Sequence, residues 1–280
     1  MGTTWSIQLV QPSSPTAAPT AKDAVALIQP RLDELEAIFT NWTPDSPVSR
    51  FNQSTSTDWQ SVPQALAEVV AHALEISRET QGAFDITLGP LIDLWGFGAT
   101  GRRDTPPDEA AIISAKARCG WQRLEVKLNP PQLRKTHADL QINVSALVEG
   151  YAADEIARRL EAAGNHNFLL DVGGELLARG KKSDGSVWQV GIQQPDPNSA
   201  KGEAMMSLPL NNQALSTSGT YRQFYETKGH RYAHVLDGRT GRPVAHRAVS
   251  VSVLADTCAQ ADAWSTALLA LGPEEGRPLA

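Results

Sequence analysis

Hydrophobic positions recur along the chain with helical spacing in some segments and with strand-like alternation in others. Helical spacing predicts a helix over residues 20–39, capped by Thr20 and kinked or broken at Pro30. It also predicts helices over about 61–81, 148–163 and 257–271. Strands are predicted over residues 4–9, 168–172, 188–192, 215–218 and 249–253. Because these helices and strands are interspersed without a regular βαβ rhythm, the pattern predicts an α+β fold.

The last predicted helix is apolar on nearly every side yet contains one carboxylate, Asp262. Asp262 and Thr266 are four residues apart and therefore share a helix face, with Ser265 beside them. A buried carboxylate is costly unless a cation or strong donors compensate it, and these hard oxygen atoms suit Mg²⁺ better than zinc. The alternative is that Asp262 caps a neighbouring element or pairs with a buried arginine. The helix alone leaves both interpretations open.

Composition narrows the classes of function. The 280 residues carry a net charge of −6, which disfavours unassisted binding of nucleic acid or anionic lipid. No run of about 18 apolar residues occurs, so no membrane-spanning segment is predicted. Cys119 and Cys258 are too few for a disulfide scaffold or a cysteine zinc site, and their spacing does not say whether they pair. No charged or apolar leader precedes the first predicted strand, and we expect no targeting peptide in the chain.

Two further segments combine polar residues with special backbone positions. Small residues surround Asp85 in the segment 82–90, which would let a ligand approach the backbone, although a turn beside an aromatic core residue explains the same pattern. Polar residues also crowd the start of the helix predicted from residue 148, where backbone N–H groups favour anions. Ordinary capping by Asn143 or Ser145 is the alternative there, and Glu149 suits the helix dipole.

A histidine stands next to strong turn chemistry near the end of the chain. Residues 237–243 predict a hairpin turn, and His234 precedes it on a predicted strand. Together with the hydroxyl-rich segment 216–220, His234 could orient a phosphate or move a proton. A purely structural histidine is the alternative. No Walker or Rossmann glycine loop, no Gly-x-Ser-x-Gly elbow and no paired-histidine metal motif occurs in the sequence.

Taken together and in this order, these segments resemble the ApbE family of FAD:protein FMN transferases. The resemblance runs from Met1 to Gly272. The matching motifs are residues 42–46, 49–52, 82–98, 149–154, 171–176, 217–219, 234–243 and 261–266. The resemblance implies one domain over residues 1–280, with a T-fold-like α+β architecture of mixed helices and mainly antiparallel sheets in one compact unit.

The resemblance also implies an activity. Members of this family are Mg²⁺-dependent enzymes that cleave FAD, attach FMN to a Thr or Ser hydroxyl of a client flavoprotein and release AMP. The expected partners are therefore FAD and a client protein, with no nucleic acid. The expected location is the periplasm or cell envelope. Alternatives are an FAD pyrophosphatase that gives FMN and AMP, a flavin-binding or delivery protein without turnover, and a silent partner that docks on a redox complex.

Carried over by position, the resemblance implies a set of site residues. From the chemistry of the reaction rather than from the resemblance, we expect a catalytic role for His234, which would assist loss of the acceptor proton or stabilise the transferred phosphate. The metal ligands would be the side chains of Asp262 and Thr266, with Ser265 nearby, and the carbonyl group of Ala146. The flavin contacts would be Met1, Trp42, Ala83, Phe84, Asp85, Asn143, Glu149 and Leu236. Three positions depart from common family choices: Asn143 replaces Asp, Ser265 replaces an acidic residue of some relatives, and Trp42 replaces Tyr, which keeps a stacking face.

Overall fold

A computed structural model describes residues 2–10, 21–98, 101–196 and 203–280 of the chain. The chain divides into two compact units. Unit 1 comprises residues 1–36, 147–218 and 252–265, and unit 2 comprises residues 37–146, 219–251 and 266–280. Met1 and Thr20 lie outside the described residues, so the roles predicted for them have no structural counterpart here.

The elements occur in the following order. The helices are α1 (Ala21–Phe39), α2 (Pro47–Gln53), α3 (Gln64–Glu79), α4 (Gly89–Leu94), α5 (Glu109–Lys116), α6 (Val148–Ala162) and α7 (Cys258–Gly276). The strands of the first half are β1 (Trp5–Leu9), β2 (Gln60–Ser61), β3 (Leu124–Leu128), β4 (Pro131–Lys135), β5 (Phe168–Val172) and β6 (Glu175–Arg179). The remaining strands are β7 (Trp188–Gln193), β8 (Ala204–Leu210), β9 (Ala214–Gly219), β10 (Phe224–Thr227), β11 (His230–Ala233), β12 (Leu236–Asp237), β13 (Arg242–Pro243) and β14 (Ser250–Ala255).

Unit 1 is built on a sheet of strand order β1-β5-β6-β9-β14, in which the first three pairings are antiparallel. Gly173 and Gly174 join β5 to β6 with φ angles of 71° and 106°, a conformation that a tight hairpin requires and that glycine adopts at little cost. Strands β7 and β8 form a separate antiparallel pair. Leu169 of β5, Trp188 of β7 and Leu210 of β8 belong to one buried apolar cluster, which packs this strand pair against the sheet.

Unit 2 holds a three-stranded antiparallel sheet of order β2-β4-β3 and the two hairpins β10–β11 and β12–β13. Helix α3 packs on β3. Trp95 is 2% exposed and donates its indole N–H to the carbonyl oxygen of Gly241 (2.9 Å), so the aromatic residue after segment 82–90 is indeed a core residue.

The predicted α+β class and the mainly antiparallel sheets are confirmed. The helix that contains Pro30 runs without a break from Ala21 to Phe39, so the predicted break is wrong. The helix expected near residue 61 begins at Gln64, because the preceding residues pair as β2. Cys119 and Cys258 are both buried and both free. Along the described ranges, no helix combines the length and apolar character that a bilayer crossing needs.

Candidate functional site

The predicted site residues fall in both units. Unit 1 contains Glu149, Asp262 and Ser265. The residues of unit 2 are Trp42, Ala83, Phe84, Asp85, Asn143, Ala146, His234, Leu236 and Thr266.

Asp262 is an acid inside unit 1. It lies in the second turn of α7, is only 6% exposed, and accepts a 3.0 Å hydrogen bond on Oδ2 from the backbone N–H of Gly150. Burial raises the pKa of Asp262 well above its usual range, and the charges of Glu175 and Glu149 raise it further. Gly150 is in the first turn of α6, so Asp262 caps that helix. This is one of the two structural alternatives to a metal ligand that the sequence left open.

The chain at Gly150 lies unusually close to α7. A Cβ atom at this position would stand 2.5 Å from the carbonyl oxygen of Cys258 and 2.7 Å from Cβ of Asp262. Glycine is needed here because of this close approach of two helices, since no side chain fits between them. The segment 149–151 therefore brings the start of α6 directly against the acidic turn of α7.

Glu175 joins Glu149 and Asp262 as a third carboxylate that shapes the electrostatics of unit 1. Burial raises the pKa of Glu175 to about 8, against a hydrogen bond from Ser216 that lowers it. The charge of Glu149 adds to that rise, and burial also raises the pKa of Glu149 itself. Oε2 of Glu175 is buried and has no hydrogen-bond partner among the described residues. A cation would relieve the mutual repulsion of these acids.

The hydroxyl group of Ser265 is fully used inside the protein. It donates to the carbonyl oxygen of Asp262 at 2.9 Å and contacts the hydroxyl oxygens of Ser218 at 2.7 Å and Ser216 at 3.2 Å. Ser265 has no exposed surface. Its one proton is donated to Asp262, so its oxygen can accept from Ser218, whereas the proton of Ser216 is already donated to Glu175.

The donors predicted for a metal ion are compatible with a hard cation, although they contain few acids. Within the described part of the chain, no three His, Cys, Asp or Glu side chains come together as a metal-holding group. The predicted set has one carboxylate, one hydroxyl and one carbonyl group, which is the oxygen chemistry of Mg²⁺, an ion that keeps several waters. Thr266 is half-buried one helical turn after Asp262, and Ala146 is half-buried in the turn before α6. The buried Oε2 of Glu175, which no residue in the described ranges bonds, adds to the need for positive charge.

In unit 2, Asp85 organises the turn that carries three predicted flavin contacts. Its Oδ1 accepts from both the N–H and the hydroxyl group of Thr87, each at 2.7 Å, and its Oδ2 accepts from the N–H of Trp121 at 3.0 Å. Burial raises the pKa of Asp85, and these hydrogen bonds oppose the rise. The carboxylate of Asp85 therefore stabilises the turn through these hydrogen bonds. Ala83 and Phe84, the other two predicted flavin contacts of this turn, are buried.

A cavity of about 390 Å³ lies beside this turn and is lined partly by Asp85, Lys116 and Arg239. Lys116 donates from Nζ to the carbonyl oxygen of Gly238 at 2.8 Å. The N–H of Gly238 in turn donates to the carbonyl oxygen of Ala83 at 3.0 Å. The turn and the segment that follows Leu236 are therefore bonded to each other within unit 2.

Asn143 and Trp42 differ in how firmly the protein holds them. The N–H of Asn143 donates to the carbonyl oxygen of Ile86 at 2.7 Å, and its Oδ1 accepts from the N–H and the hydroxyl group of Ser145 at 3.0 and 2.7 Å. These bonds form a local turn, and the N-cap residue of α6 is Leu147, so the predicted capping of that helix by Asn143 or Ser145 is wrong. Trp42 is 76% exposed, which is unusual for tryptophan and leaves an aromatic face open to a planar ligand.

His234 follows β11 and has a defined tautomer. Its Nδ1 lies 3.2 Å from the carbonyl oxygen of Gln223, which can only accept, so Nδ1 carries the proton and Nε2 keeps its lone pair. Burial lowers the pKa of His234 below its usual range. Phe97 contacts the imidazole edge-on, with ring centres 6.3 Å apart. The ring is thus held as a neutral base at neutral pH.

Reasoning from the sequence missed two acids that the structure brings to the same part of unit 1. Glu175 follows the Gly-Gly turn and resembles an ordinary polar residue at a strand start. Asp154 accepts from the N–H groups of Cys258 (2.8 Å) and Ala259 (2.9 Å), the first two residues of α7. Both acids lie inside motifs of the family resemblance, 149–154 and 171–176. Their presence in these motifs is the signal by which the sequence could have identified them.

Known proteins resemble this chain over nearly its full length. The model of the ApbE family matches residues 1–280. The FAD:protein FMN transferase of Klebsiella pneumoniae is 39% identical over 279 residues, which is 99% of this chain and 78% of that protein. The FAD:protein FMN transferase of Escherichia coli K12 is 41% identical over 252 residues, covering 89% of this chain and 71% of that protein. The solved flavin transferase ApbE of Vibrio cholerae is 33% identical with a TM-score of 0.89, covering 100% of this chain and 87% of that one. This chain belongs to the ApbE family.

Proposed function

We propose that this chain transfers FMN from FAD to a Thr or Ser hydroxyl group of a client flavoprotein. In this reaction the acceptor oxygen attacks the phosphorus of the FMN half, and the bond from that phosphorus to the bridging oxygen breaks. AMP leaves with the bridging oxygen, and the acceptor proton passes to a base. The proposal follows from membership in the ApbE family together with the chemistry of the residues described above.

The observation that carries the proposal is the buried acid at Asp262, which is 6% exposed and faces the negative charges of Glu175 and Glu149. Such an acid is costly in its ionised form, and a cation would compensate this cost beyond what the N–H of Gly150 supplies. We propose that the side chains of Asp262 and Thr266 and the carbonyl group of Ala146 hold Mg²⁺. When bound, Mg²⁺ would neutralise charge on the pyrophosphate, the main requirement of phosphoryl transfer.

Ser265 has a supporting role in this proposal. Its hydroxyl group already donates to the carbonyl oxygen of Asp262 and contacts the hydroxyl group of Ser218, so it orients the turn that bears Asp262. This assignment also accounts for a serine at a position where some relatives carry an acidic residue. Direct metal contact by Ser265 would require that it release Ser218 or Ser216.

His234 is the proposed base that accepts the proton of the acceptor hydroxyl group. The carbonyl oxygen of Gln223 fixes the proton on Nδ1, and this leaves Nε2 as the acceptor. The lowered pKa of His234 keeps the imidazole neutral, and therefore basic, at neutral pH. A general base of this kind accelerates the reaction by about 10²–10⁴-fold.

The proposed flavin contacts act in two ways. Trp42 offers an exposed aromatic face for stacking. Asn143 and the turn around Asp85 present backbone and small side chains that hydrogen bonds hold in place. Contacts from Met1, Glu149 and Leu236 remain part of the proposal. We further propose that residues 1–280 act as one functional domain and that the client lies in the periplasm or cell envelope.

The decisive experiment mixes the protein with FAD and Mg²⁺, with and without a client that carries an acceptor threonine. AMP and protein-bound flavin are followed together. AMP formed in step with fluorescent client supports the transferase. AMP with free FMN in both mixtures would instead establish a pyrophosphatase, and retained FAD without AMP would establish a flavin carrier.

A matched pair of histidine variants tests the proposed base. His234→Ala should slow transfer by at least about 10²-fold while FAD binding persists. His230→Ala is the control, because His230 is exposed on the same hairpin and its Nδ1 also lies 3.2 Å from a carbonyl oxygen, that of Lys228. Equal turnover of the two variants would remove His234 from the mechanism.

A further inference from the structure

Unit 2 contains a lysine with no exposed surface, Lys135 in β4. Its Nζ donates to the carbonyl oxygens of Leu140 (2.9 Å), Phe51 (3.0 Å) and Asn52 (3.4 Å). The three N–H bonds of an ammonium group are therefore all matched by backbone acceptors. Nζ also lies 5.1 Å from the centre of the Phe51 ring. Burial of the ammonium group lowers the pKa of Lys135, so this cation is retained only because the acceptors compensate its desolvation.

The acceptors of Lys135 belong to two separate segments of the chain. Phe51 and Asn52 are in the last turn of α2, where carbonyl groups lack partners within the helix and where a cation favours the dipole. Leu140 is in the loop that leads to Asn143. A single ammonium group therefore joins the end of α2 to this loop.

Asn52 makes a second connection between the same two segments. Its Nδ2 donates to the carbonyl oxygen of Ile142 at 2.9 Å, and its Oδ1 accepts from the N–H of Ile142 at 2.7 Å. The side-chain amide thus pairs with Ile142 as a neighbouring strand would. The next residue, Asn143, donates its N–H to the carbonyl oxygen of Ile86 at 2.7 Å.

From this continuous set of hydrogen bonds we infer that Lys135 and Asn52 are positioning residues for flavin binding. They hold the loop 140–143 in place, so that Asn143 stays hydrogen-bonded to Ile86, next to the turn around Asp85. The inference rests on the proposed function, because it assigns Asn143 as a flavin contact. Neither Lys135 nor Asn52 is itself proposed to touch the flavin.

The test measures FAD affinity by flavin fluorescence in EDTA, and then the KM for FAD and the kcat of transfer with Mg²⁺ and client. Lys135→Met and Asn52→Leu should each weaken FAD binding by about ten-fold or more and raise KM in parallel, with kcat changed by less than about three-fold. Asn52→Asp keeps an acceptor for the N–H of Ile142, but its second oxygen can donate to the carbonyl oxygen of Ile142 only when protonated, so its loss of affinity should be smaller at acidic pH, unlike that of Asn52→Leu. This graded effect separates positioning from general damage.

The control is Lys127→Met, which removes an exposed lysine from the adjacent strand β3, where Nζ lies 4.0 Å from the centre of the Trp59 ring. FAD affinity of this variant should equal that of the wild type. If Lys135→Met does not fold, the FAD affinity of Asn52→Asp alone tests the inference. A second readout is a double-mutant cycle: in an Asn143→Ala background, Asn52→Asp should cost little additional FAD affinity, because both act through the same contact.

Two results would overturn the inference. One is FAD affinity within about two-fold of wild type for folded Lys135→Met and Asn52→Leu. The other is full additivity of the Asn52 and Asn143 substitutions. Failure of the proposed function has a different signature, since it appears in the unmodified protein, which would then leave the client unlabelled in the presence of FAD and Mg²⁺.

Discussion

Asp154 and Asp262 cap each other's helices. Asp154 of α6 accepts from the N–H groups of Cys258 and Ala259 at the start of α7, at 2.8 and 2.9 Å. Asp262 of α7 accepts from the N–H of Gly150 in the first turn of α6, at 3.0 Å. Each carboxylate thus satisfies orphan donors of the other helix and adds negative charge at its positive end. The same contact fixes the turn that carries the proposed metal ligand.

Removal of the first of these caps should destabilise the protein more than removal of an ordinary cap. Asp154→Ala loses two half-buried hydrogen bonds and should lower the free energy of unfolding by about 2 kcal/mol. Asp108→Ala is the matched control, since Asp108 caps α5 through one exposed bond to the N–H of Ala111 (2.8 Å), and about 1 kcal/mol is expected. Urea unfolding of both variants gives the comparison. Equal losses would mean that the reciprocal caps add nothing beyond local capping.

A methyl group at position 150 should be poorly tolerated. The Cβ atom of Gly150→Ala would meet the carbonyl oxygen of Cys258 at 2.5 Å, so α6 and α7 must separate. A loss of about 1–3 kcal/mol in the free energy of unfolding is expected from this overpacking. Gly89→Ala is the control, because its Cβ would only make an ordinary 3.5 Å contact with Gln141. Thermal unfolding would contradict the prediction if the two variants had the same midpoint.

Metal-free protein should become less stable as the pH rises. The pKa of Glu175 is about 8 in the folded protein, above the value of 4.5 for an unperturbed Glu, so the folded state binds more protons between these values. Stability contributed by protonated Glu175 is therefore present below about pH 4.5 and is lost as pH rises toward 8. Asp262 and Glu149 act in the same direction. Urea midpoints in EDTA across this range measure the slope.

A substitution identifies the group responsible for this slope. Glu175→Gln cannot ionise and should flatten the decline of stability with pH. Mg²⁺ should raise the midpoint of the unmodified protein most at the alkaline end, where the acids are ionised. An unchanged slope in Glu175→Gln would show that Glu175 is not the titrating group.

The sequence predicted those elements whose stability comes from regular spacing. Helices α3 and α6 show an apolar face of several turns, and β5 is a short apolar run that ends in Gly-Gly. Asp262 was found because one acid interrupts an apolar helix. Helix α4 was missed because its six residues complete fewer than two turns, too few for a helical period to be visible.

The missed site residues depend on contacts between distant parts of the chain. Asp154 is 104 residues from the N–H group of Cys258 that it caps, and Lys135 is 84 residues from the carbonyl group of Phe51. In the sequence both are charged residues of ordinary surface character. The pKa of Glu175 depends likewise on burial and on Glu149, which α6 brings near. Local patterns contain no information about such pairings, whereas the family resemblance at least marked the motifs that contain Asp154 and Glu175.

The pH dependence of transfer should report His234. Its pKa lies below the ordinary value of 6.5, mainly because of burial, and only the neutral imidazole can accept a proton. The rate should therefore rise with pH, with a midpoint below 6.5, and level off above it. A pH–rate profile of kcat/KM tests this, because that ratio reports the titration of the enzyme before the substrate binds. His230→Ala should keep the rise, since that residue is exposed and outside the proposed mechanism. His234→Ala should retain only a slow rate that does not rise with pH. If the rate of that variant still rose with the same midpoint, the titration would belong to another group.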